Sequence, residues 1–293
     1  MTAPLQTPAK AIEAEALQCL RLPSGVELHH VTGGDGPPLV FVHGVMGDWA
    51  TWAPQWPAFT PHFACTSYSR RYNHPNRNAM PSPDHSALVE AEDLRQLLDA
   101  LGLDRVVLVA SSYGAFVALA LAVAQPQRVR AIVATEPAML CYADFSAEGR
   151  AVRAAFERDV VAPANAAFRQ GDDALGVTLM TGGIAGAAAA QGQALQRRLR
   201  SAHAMRMLAL SSNEFPLLPP AALAALTMPV LLVSGAETPA IHRETFRNVA
   251  AAMPQAACVV VPGAGHAVAR DQPRAFNEAA LHFLQHHAIP APG

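Results

Sequence analysis

Short apolar runs recur along the chain and are separated by turn residues, a pattern that predicts β-strands. The run Pro38-Leu39-Val40-Phe41-Val42 is continuously apolar, as is typical of a strand buried on both faces of a parallel sheet. The first two runs are joined at Ser24-Gly25, which favours a β-hairpin. The predicted strands lie at residues 17–22, 26–31, 38–42, 63–68, 105–110, 129–135, 229–234 and 257–261.

Segments with apolar residues at helical spacing alternate with the later strands. The predicted helices run from about residues 82–84 to Leu101, over 113–124, from about 241 to 252 and from about 272 to 286. Alternating strands and helices with short connections predict an α/β protein with a mostly parallel, doubly wound sheet of about eight strands.

The strand pattern disappears between residues 137 and 228, where Ala, Arg, Leu and Met occur at helical spacing. Glycine and proline interrupt this stretch several times. We therefore expect a helical cap, or lid, over residues 137–228, inserted into a core domain made of residues 1–136 and 229–293.

The composition does not alter the predicted fold, but it limits the classes of binding partner. Hydrophobic residues make up 51% of the 293 residues, charged residues 15%, and the net charge is -2. No long basic run provides a surface for nucleic acid or for an anionic membrane, so we expect a small-molecule substrate. These features do not determine the oligomeric state, and a homodimer is one alternative.

Two further observations concern the compartment. Residues 1–18 lack the apolar core of a secretory signal, because Lys10, Glu13 and Glu15 interrupt it, and we expect a cytoplasmic protein. The four cysteines show no metal-ligand spacing, and we interpret them as buried free thiols. They are Cys19, Cys65, Cys141 and Cys258.

The strongest candidate for chemistry is Ser112, at the junction of a predicted strand and a predicted helix. A nucleophile in such a sharp turn needs small residues two positions before and after it, because the strand and helix backbones approach closely. Ala110 and Gly114 satisfy this for Ser112. For Ser111 the flanking residues would be Val109 and Tyr113, which are too large.

Two loops supply partners for this nucleophile. His266 follows the glycine-rich turn Gly263-Ala264-Gly265 after an apolar strand, where an imidazole can reach over the sheet edge as a general base. Gly44, after His43, permits a turn that aims the Val45 amide at a developing oxyanion, and the Tyr113 amide would be the second donor. We assign His43 itself only a loop-ordering role.

These motifs, in this order, resemble the α/β-hydrolase fold superfamily over nearly the whole chain. In most similar members the triad acid lies three residues after the glycine that ends the strand corresponding to residues 229–235. That position is Thr238 here, which cannot carry the charge. Glu136, after the strand at 129–135, is the preferred replacement, since some family members place the acid there. Glu237 is the alternative acid.

The resemblance implies a serine hydrolase without cofactor or metal. It would cleave an ester, lactone, amide or carbon–carbon bond of a small to medium apolar substrate through an acyl-enzyme, most simply as a carboxylesterase. One alternative is a cofactor-free dioxygenase or lyase in which His266 acts as the base. Another is a non-catalytic ligand-binding member.

Several further residues are candidates for contact with the substrate. Trp49 lies near the oxyanion turn and Met205 in the predicted cap, and either could line the substrate site. Arg70 matches an arginine that fixes its loop in similar proteins. Arg71 and Tyr72 are unusual at their positions. They could face a substrate carboxylate, although we expect them to be exposed to solvent.

Overall fold

A computed structural model describes residues 11–287. Its centre is an eight-stranded sheet with the strand order β1-β2-β4-β3-β5-β6-β7-β8. The strands are β1 Gln18–Arg21, β2 Glu27–Gly33, β3 Pro38–Val42, β4 Ala64–Tyr68, β5 Val106–Ser111, β6 Val129–Thr135, β7 Val230–Gly235 and β8 Ala257–Val261. The pairs β1–β2 and β2–β4 are antiparallel and the others are parallel, which confirms the predicted α/β-hydrolase sheet.

Twelve α-helices lie in the described part of the chain. They are α1 Trp56–Phe59, α2 Ala87–Ala100, α3 Tyr113–Ala124, α4 Ala147–Phe156, α5 Ala162–Arg169, α6 Asp173–Ala185, α7 Gly192–Leu199, α8 Ala202–Ala209, α9 Pro220–Ala224, α10 Ala240–Ala252, α11 Val268–Asp271 and α12 Pro273–His287. Helix α2 begins later than expected, because the Ser86 side chain accepts a hydrogen bond from the Leu88 amide and caps it there.

The core has one apolar layer on each face of the sheet. Successive strand residues alternate between the layers, so Leu108 packs with α2 and α3 while Val109 packs with Trp52 and α12. Strands buried on both faces read as continuous apolar runs, which is why β3 and β5 were recognisable in the sequence.

The prediction of four buried cysteines is wrong. Only Cys65 is buried, whereas Cys19 and Cys258 are exposed and Cys141 is intermediate. Cys19 lies on β1 and Cys258 on β8, the two edge strands of the sheet, where helices cover less of the surface. All four are free thiols, as expected.

Helices α4 to α9, here called the helical segment, connect β6 to β7. Several of their side chains approach the carboxyl ends of the central strands, where parallel sheets commonly bind ligands. Across residues 11–287, no helix has both the length and the apolar character required to cross a bilayer. The prediction of a cytoplasmic location rests on residues 1–18, and residues 1–10 of that stretch lie outside the described part of the chain.

Candidate active site

Ser112 occupies a strained turn between β5 and α3. Its φ of 55° lies in the left-handed region, which costs free energy for a residue with a side chain. The turn also leaves little room: a Cβ on Gly114 would lie 2.3 Å from the His43 carbonyl oxygen. Ala110 is fully buried. Small residues on both sides thus let the turn form and present the Ser112 side chain at the sheet edge.

The turn after β3 lies directly against this serine. A Cβ on Gly44 would stand 3.2 Å from the Ser112 Cβ. His43 Nδ1 donates to the Gly44 carbonyl at 2.7 Å, and His43 Nε2 accepts from the Arg70 amide at 3.0 Å. Burial and the nearby Arg70 cation lower the pKa of His43 to about 3, so this imidazole is neutral. His43 is placed to order the loop.

Arg70 and Asn73 fix the same turn from the loop after β4. Arg70 forms a buried ion pair with Glu90 at 2.5 Å and donates to the His43 carbonyl at 3.0 Å. The Asn73 amide donates to the Val45 carbonyl at 2.7 Å and to the Gly47 carbonyl at 2.9 Å. These contacts hold the Val45 backbone in one orientation beside Ser112, as an oxyanion donor requires.

The next residues of this loop differ from expectation. Tyr72 is buried, so the expected solvent exposure is wrong for it; its ring packs edge-on against His85 and His203. Arg71 pairs with Asp93 through two hydrogen bonds of 2.6 and 2.7 Å. A bidentate pair of this kind fixes the guanidinium against Asp93, and the side chain is only 11% exposed, so the expected solvent exposure is wrong for Arg71 as well.

His266 is brought to Ser112 by the loop after β8. Ala264 and Gly265 approach β7 so closely that a Cβ on Gly235 would lie 2.3 Å from each of their carbonyl oxygens. The Ser112 hydroxyl donates to His266 Nε2 at 2.9 Å. His266 Nδ1 is 2.6 Å from Glu136 Oε2. Because a carboxylate only accepts, Nδ1 carries the proton and Nε2 is free to receive the one from serine.

Glu136 reaches this position because β5 and β6 are paired in register. Ser111 is paired with Thr135, so Ser112 and Glu136 leave adjacent strands at the same edge. Glu136 is buried, with a φ of 40°. Its Oε1 accepts from the Ser234 hydroxyl at 2.7 Å and the Gly235 amide at 2.8 Å. These donors replace the water that a buried carboxylate loses.

Thr238 and Glu237, the two positions after β7 considered for the acid, differ in their burial and in their contacts with Glu136. Thr238 is buried and its hydroxyl donates to Glu136 Oε2 at 2.7 Å. Glu237 is exposed, and its amide donates to the Ala264 carbonyl. The structure therefore brings Ser112, His266 and Glu136 into one chain of hydrogen bonds and leaves Glu237 outside it.

His242, in the first turn of α10, was not singled out from the sequence. Its ring stacks on that of His266, with centroids 3.7 Å apart and an angle of 17° between the planes. Burial, with the adjacent His266, lowers the pKa of His242 well below its usual range. Its Nε2 is buried without a hydrogen-bond partner among the described residues. The available signal was its place just after β7, at the ligand-binding edge of the sheet.

A largely apolar cavity lies between Ser112 and the helical segment. Its walls include Val45, Tyr113, His242 and, as the sequence suggested, Met205. Glu214 is the acidic side chain in the lining, and burial raises its pKa to about 7. Trp49 is not part of this lining: it packs against the core layer that contains Trp52, because its backbone is tied to Ser67 and Ser69.

One cluster of described residues has the composition of a metal site. Ligand atoms of Glu136, His242 and His266 all lie within 4.8 Å of one another. Two ligands of a tetrahedral zinc ion, each about 2.0 Å from it, would stand about 3.3 Å apart. Glu136 Oε2 and His266 Nδ1 are only 2.6 Å apart. This distance suits a shared proton, and a metal would require both side chains to move.

Comparison with known proteins adds the family. A protein-family sequence model with the description "Alpha/beta hydrolase family" matches residues 39–279 of the chain. The chain belongs to this family. The resemblance read from the motifs is thereby confirmed, and the fold of this α/β hydrolase agrees with it.

Relatives of this α/β hydrolase carry several names. It is 25% identical over 267 residues to the putative carbamate hydrolase RutD of Caulobacter sp. (strain K31), covering 89% of the chain and 96% of the relative. It is 28% identical over 126 residues to Epoxide hydrolase 3 of Mus musculus, covering 42% of the chain and only 34% of that protein.

Solved structures share the fold over most of their length. Carboxylesterase CesB from Bacillus subtilis superposes with a TM-score of 0.68 at 22% identity, covering 92% of each chain. The esterase RhEst1 from Rhodococcus sp. ECU1013 gives a TM-score of 0.74 at 16% identity, covering 93% of this chain and 99% of that one.

Proposed function

We propose that this α/β hydrolase is a cofactor-independent serine hydrolase of carboxylesterase type. The observation that carries the proposal is the continuous hydrogen-bond chain from Ser112 through His266 to Glu136, with distances of 2.9 and 2.6 Å. Ser112 is the nucleophile, His266 the general base and Glu136 the acid that orients it. The strained φ of Ser112 supports this, since such strain is concentrated at functional residues.

In the first step Ser112 Oγ attacks the carbonyl carbon of the substrate while its proton passes to His266 Nε2. The carbonyl oxygen becomes an oxyanion, which the amides of Val45 and Tyr113 stabilise. Collapse of this intermediate breaks the bond to the leaving group, which takes the proton from His266 Nε2. Glu136 stabilises the imidazolium throughout and does not itself become protonated.

In the second step water repeats the attack on the acyl-enzyme. His266 Nε2 takes a proton from water, the hydroxyl adds to the acyl carbon, and Ser112 Oγ leaves with the proton returned by His266. The reaction needs no redox partner, since water supplies the atoms that the products gain. The products are a carboxylic acid and an alcohol, amine or carbon acid.

The cavity sets the substrate class in this proposal. Its lining is mostly apolar and comes largely from the helical segment, which we propose acts as a cap. An apolar acyl group of small to medium size fits such a lining, bound as an ester, lactone, amide or 1,3-dicarbonyl compound. The relative named a carbamate hydrolase, which aligns over nearly its full length, supports hydrolysis at an acyl carbon.

Hydrolysis of p-nitrophenyl esters by matched serine variants tests this function. Ser112→Ala removes the nucleophile, and we expect kcat to fall by at least about 10³-fold. Ser111→Ala is the control, since Ser111 is adjacent but has no place in the hydrogen-bond chain; its kcat should stay within a fewfold of wild type. A fluorophosphonate probe should label the wild type on Ser112, as mapped by mass spectrometry.

Two results would count against the proposal. Ester hydrolysis that survives in Ser112→Ala would exclude serine as the nucleophile. Turnover lost in His266→Ala but kept in Ser112→Ala would instead favour a reaction in which His266 acts directly on the substrate as a base.

A further inference from the structure

A second concavity opens on the same serine and shares Val45 and Ile184 with the apolar cavity. This groove, with a volume of about 470 Å³, is lined by Gly44, Ser112 and His266 at one end. Its charged lining consists of four arginines and two acidic residues, although the whole protein has a net charge of -2. The arginines are Arg197, Arg198, Arg200 and Arg270, and the acidic residues are Glu13 and Asp48.

These arginines are poorly compensated. Arg200 is 3.9 Å from Asp48, and Arg270 is 3.4 Å from Asp271. Arg197 and Arg198 form no ion pair with any residue of the described chain, 11–287. Cations held close together without counter-charges repel one another, and a cleft lined by one sign of charge concentrates ligands of the opposite sign.

Arg198 is the most constrained of the group. Its side chain is buried, and it donates to the carbonyl oxygens of Ala189 at 2.8 Å and Ala194 at 3.3 Å. Burial, together with Arg270 and Arg197, lowers its pKa to about 10, so it remains a cation at neutral pH. Carbonyl dipoles orient this guanidinium, and they do not neutralise it.

The position of His266 tells which part of the substrate enters the groove. His266 lines the groove, whereas His242 lines the apolar cavity. The leaving group must receive its proton from His266 Nε2 and so departs on the groove side, while the acyl group occupies the cavity.

We propose that the leaving group of the natural substrate carries an anionic group, a carboxylate or a phosphate, that binds to Arg197, Arg198 and Arg270. This inference rests on the proposed serine hydrolase function and adds the charge of the leaving group. The substrate is then bipartite, with an apolar acyl half and an anionic leaving half on either side of Ser112.

A set of butyrate esters that share one acyl group tests the inference. The leaving groups are 4-carboxyphenol, 4-phosphonophenol and, as the uncharged reference, 4-carbamoylphenol. Each kcat/KM is divided by the rate of hydroxide-catalysed hydrolysis of the same ester, which removes intrinsic reactivity. We expect one or both anionic esters to be preferred, and the ratio between them distinguishes carboxylate from phosphate.

Arginine variants then locate the preference. Arg197→Gln and Arg270→Gln should each lower the anionic-to-neutral ratio by roughly fivefold, as expected for one partly exposed charge pair. Arg105→Gln, which removes an exposed arginine just before β5, at the end of the strand opposite to Ser112, should leave the ratio unchanged. Salt at about 1 M, where the screening length is about 3 Å, should also reduce it.

The outcomes separate this inference from the proposed function. Ser112-dependent hydrolysis of the neutral ester without any anionic preference would overturn the inference alone, as would a preference that both arginine variants retain. Loss of Ser112 dependence would overturn the proposed function. Calorimetry with Ser112→Ala measures binding of the carboxyl and carbamoyl esters without turnover, and equal affinities would also overturn the inference.

Discussion

Thr238 donates a 2.7 Å hydrogen bond to Oε2 of Glu136, the oxygen that also binds His266. The resemblance to α/β hydrolases places the acid at this threonine's position, so in the proposed triad the loop after β7 holds an acid, Glu136, that follows β6. We expect Thr238→Val to lower kcat about tenfold with little change in KM, because one hydrogen bond to a charged group is lost. Steady-state kinetics measure this.

Thr238→Ser serves as the matched rescue, since it keeps the hydroxyl. If its kcat is as low as that of Thr238→Val, the threonine acts through packing and not through its hydrogen bond to Glu136.

Glutamine substitutions compare the two candidate acids. Glu136→Gln should lower kcat by about 10³- to 10⁴-fold, because a neutral amide can no longer stabilise the imidazolium of His266. Glu237→Gln should be nearly silent, since Glu237 is exposed and lies outside the hydrogen-bond chain. Near-normal turnover by Glu136→Gln would remove Glu136 from the proposed triad.

His242 provides a test of the stacked imidazole pair. Its pKa is lowered well below the usual range by burial and by His266, so it presents a neutral ring to His266. His242→Phe retains a neutral ring and should cost only a fewfold in kcat, whereas His242→Leu loses the stack and should cost about tenfold. Equal effects of both substitutions would exclude stacking as the cause.

Glu214 predicts a pH dependence of stability. Burial in the apolar cavity, with a smaller effect of Glu157, raises its pKa to about 7 from an ordinary value of 4.5. Between these values the folded state binds more protons than the unfolded state, so this group lowers stability as the pH rises from about 4.5 to 7. Glu214→Gln should equal the wild type below pH 4.5 and exceed its free energy of unfolding by ~3 kcal/mol above pH 7.

Urea unfolding across this pH range measures the difference. Glu278→Gln, at an exposed helical position, is the control and should follow the wild type at every pH. A constant difference between Glu214→Gln and wild type would contradict the raised pKa.

Gly114 predicts a steric effect on folding. A Cβ there would lie 2.3 Å from the His43 carbonyl oxygen and 2.4 Å from that of Val42, both backbone atoms that cannot move alone. Gly114→Ala should lower the free energy of unfolding by roughly 3 kcal/mol and displace the oxyanion turn. Gly182→Ala in α6, where a Cβ would lie in ordinary van der Waals contact with the Ala190 Cβ at 4.0 Å, should raise it by about 0.5–1 kcal/mol. Thermal unfolding of the two variants provides the comparison.

Much of the fold was predictable because the parallel strands are continuously apolar and short. Ser112 and His266 could be named because their requirements are local: small flanking residues for the one, a glycine-rich loop for the other. Glu136 needed more, since only strand order and register show that residue 136 lies beside residue 112. The sequence favoured Glu136 over Glu237 as the candidate acid, but it could not show the position of either carboxylate relative to His266.

The misses share a physical cause: they concern side chains whose environment is set by distant segments. His242 faces the loop residue His266 from α10, and Tyr72 is buried by α8 and His85. Arg71 is neutralised by Asp93, which no local pattern connects to it. The groove arginines are spread over α7, its C-terminal end and α11, so their convergence is a property of the folded chain.

The position of the proposed acid directly after β6 also affects the order in which the site assembles. Ser112 and Glu136 are neighbours as soon as β5 and β6 pair, within a short and local piece of chain. His266 arrives only when β8 and the loop after it join the far edge of the sheet. During refolding, the time at which Ser112 becomes reactive towards a fluorophosphonate would therefore report when the C-terminal part of the chain has folded onto the sheet.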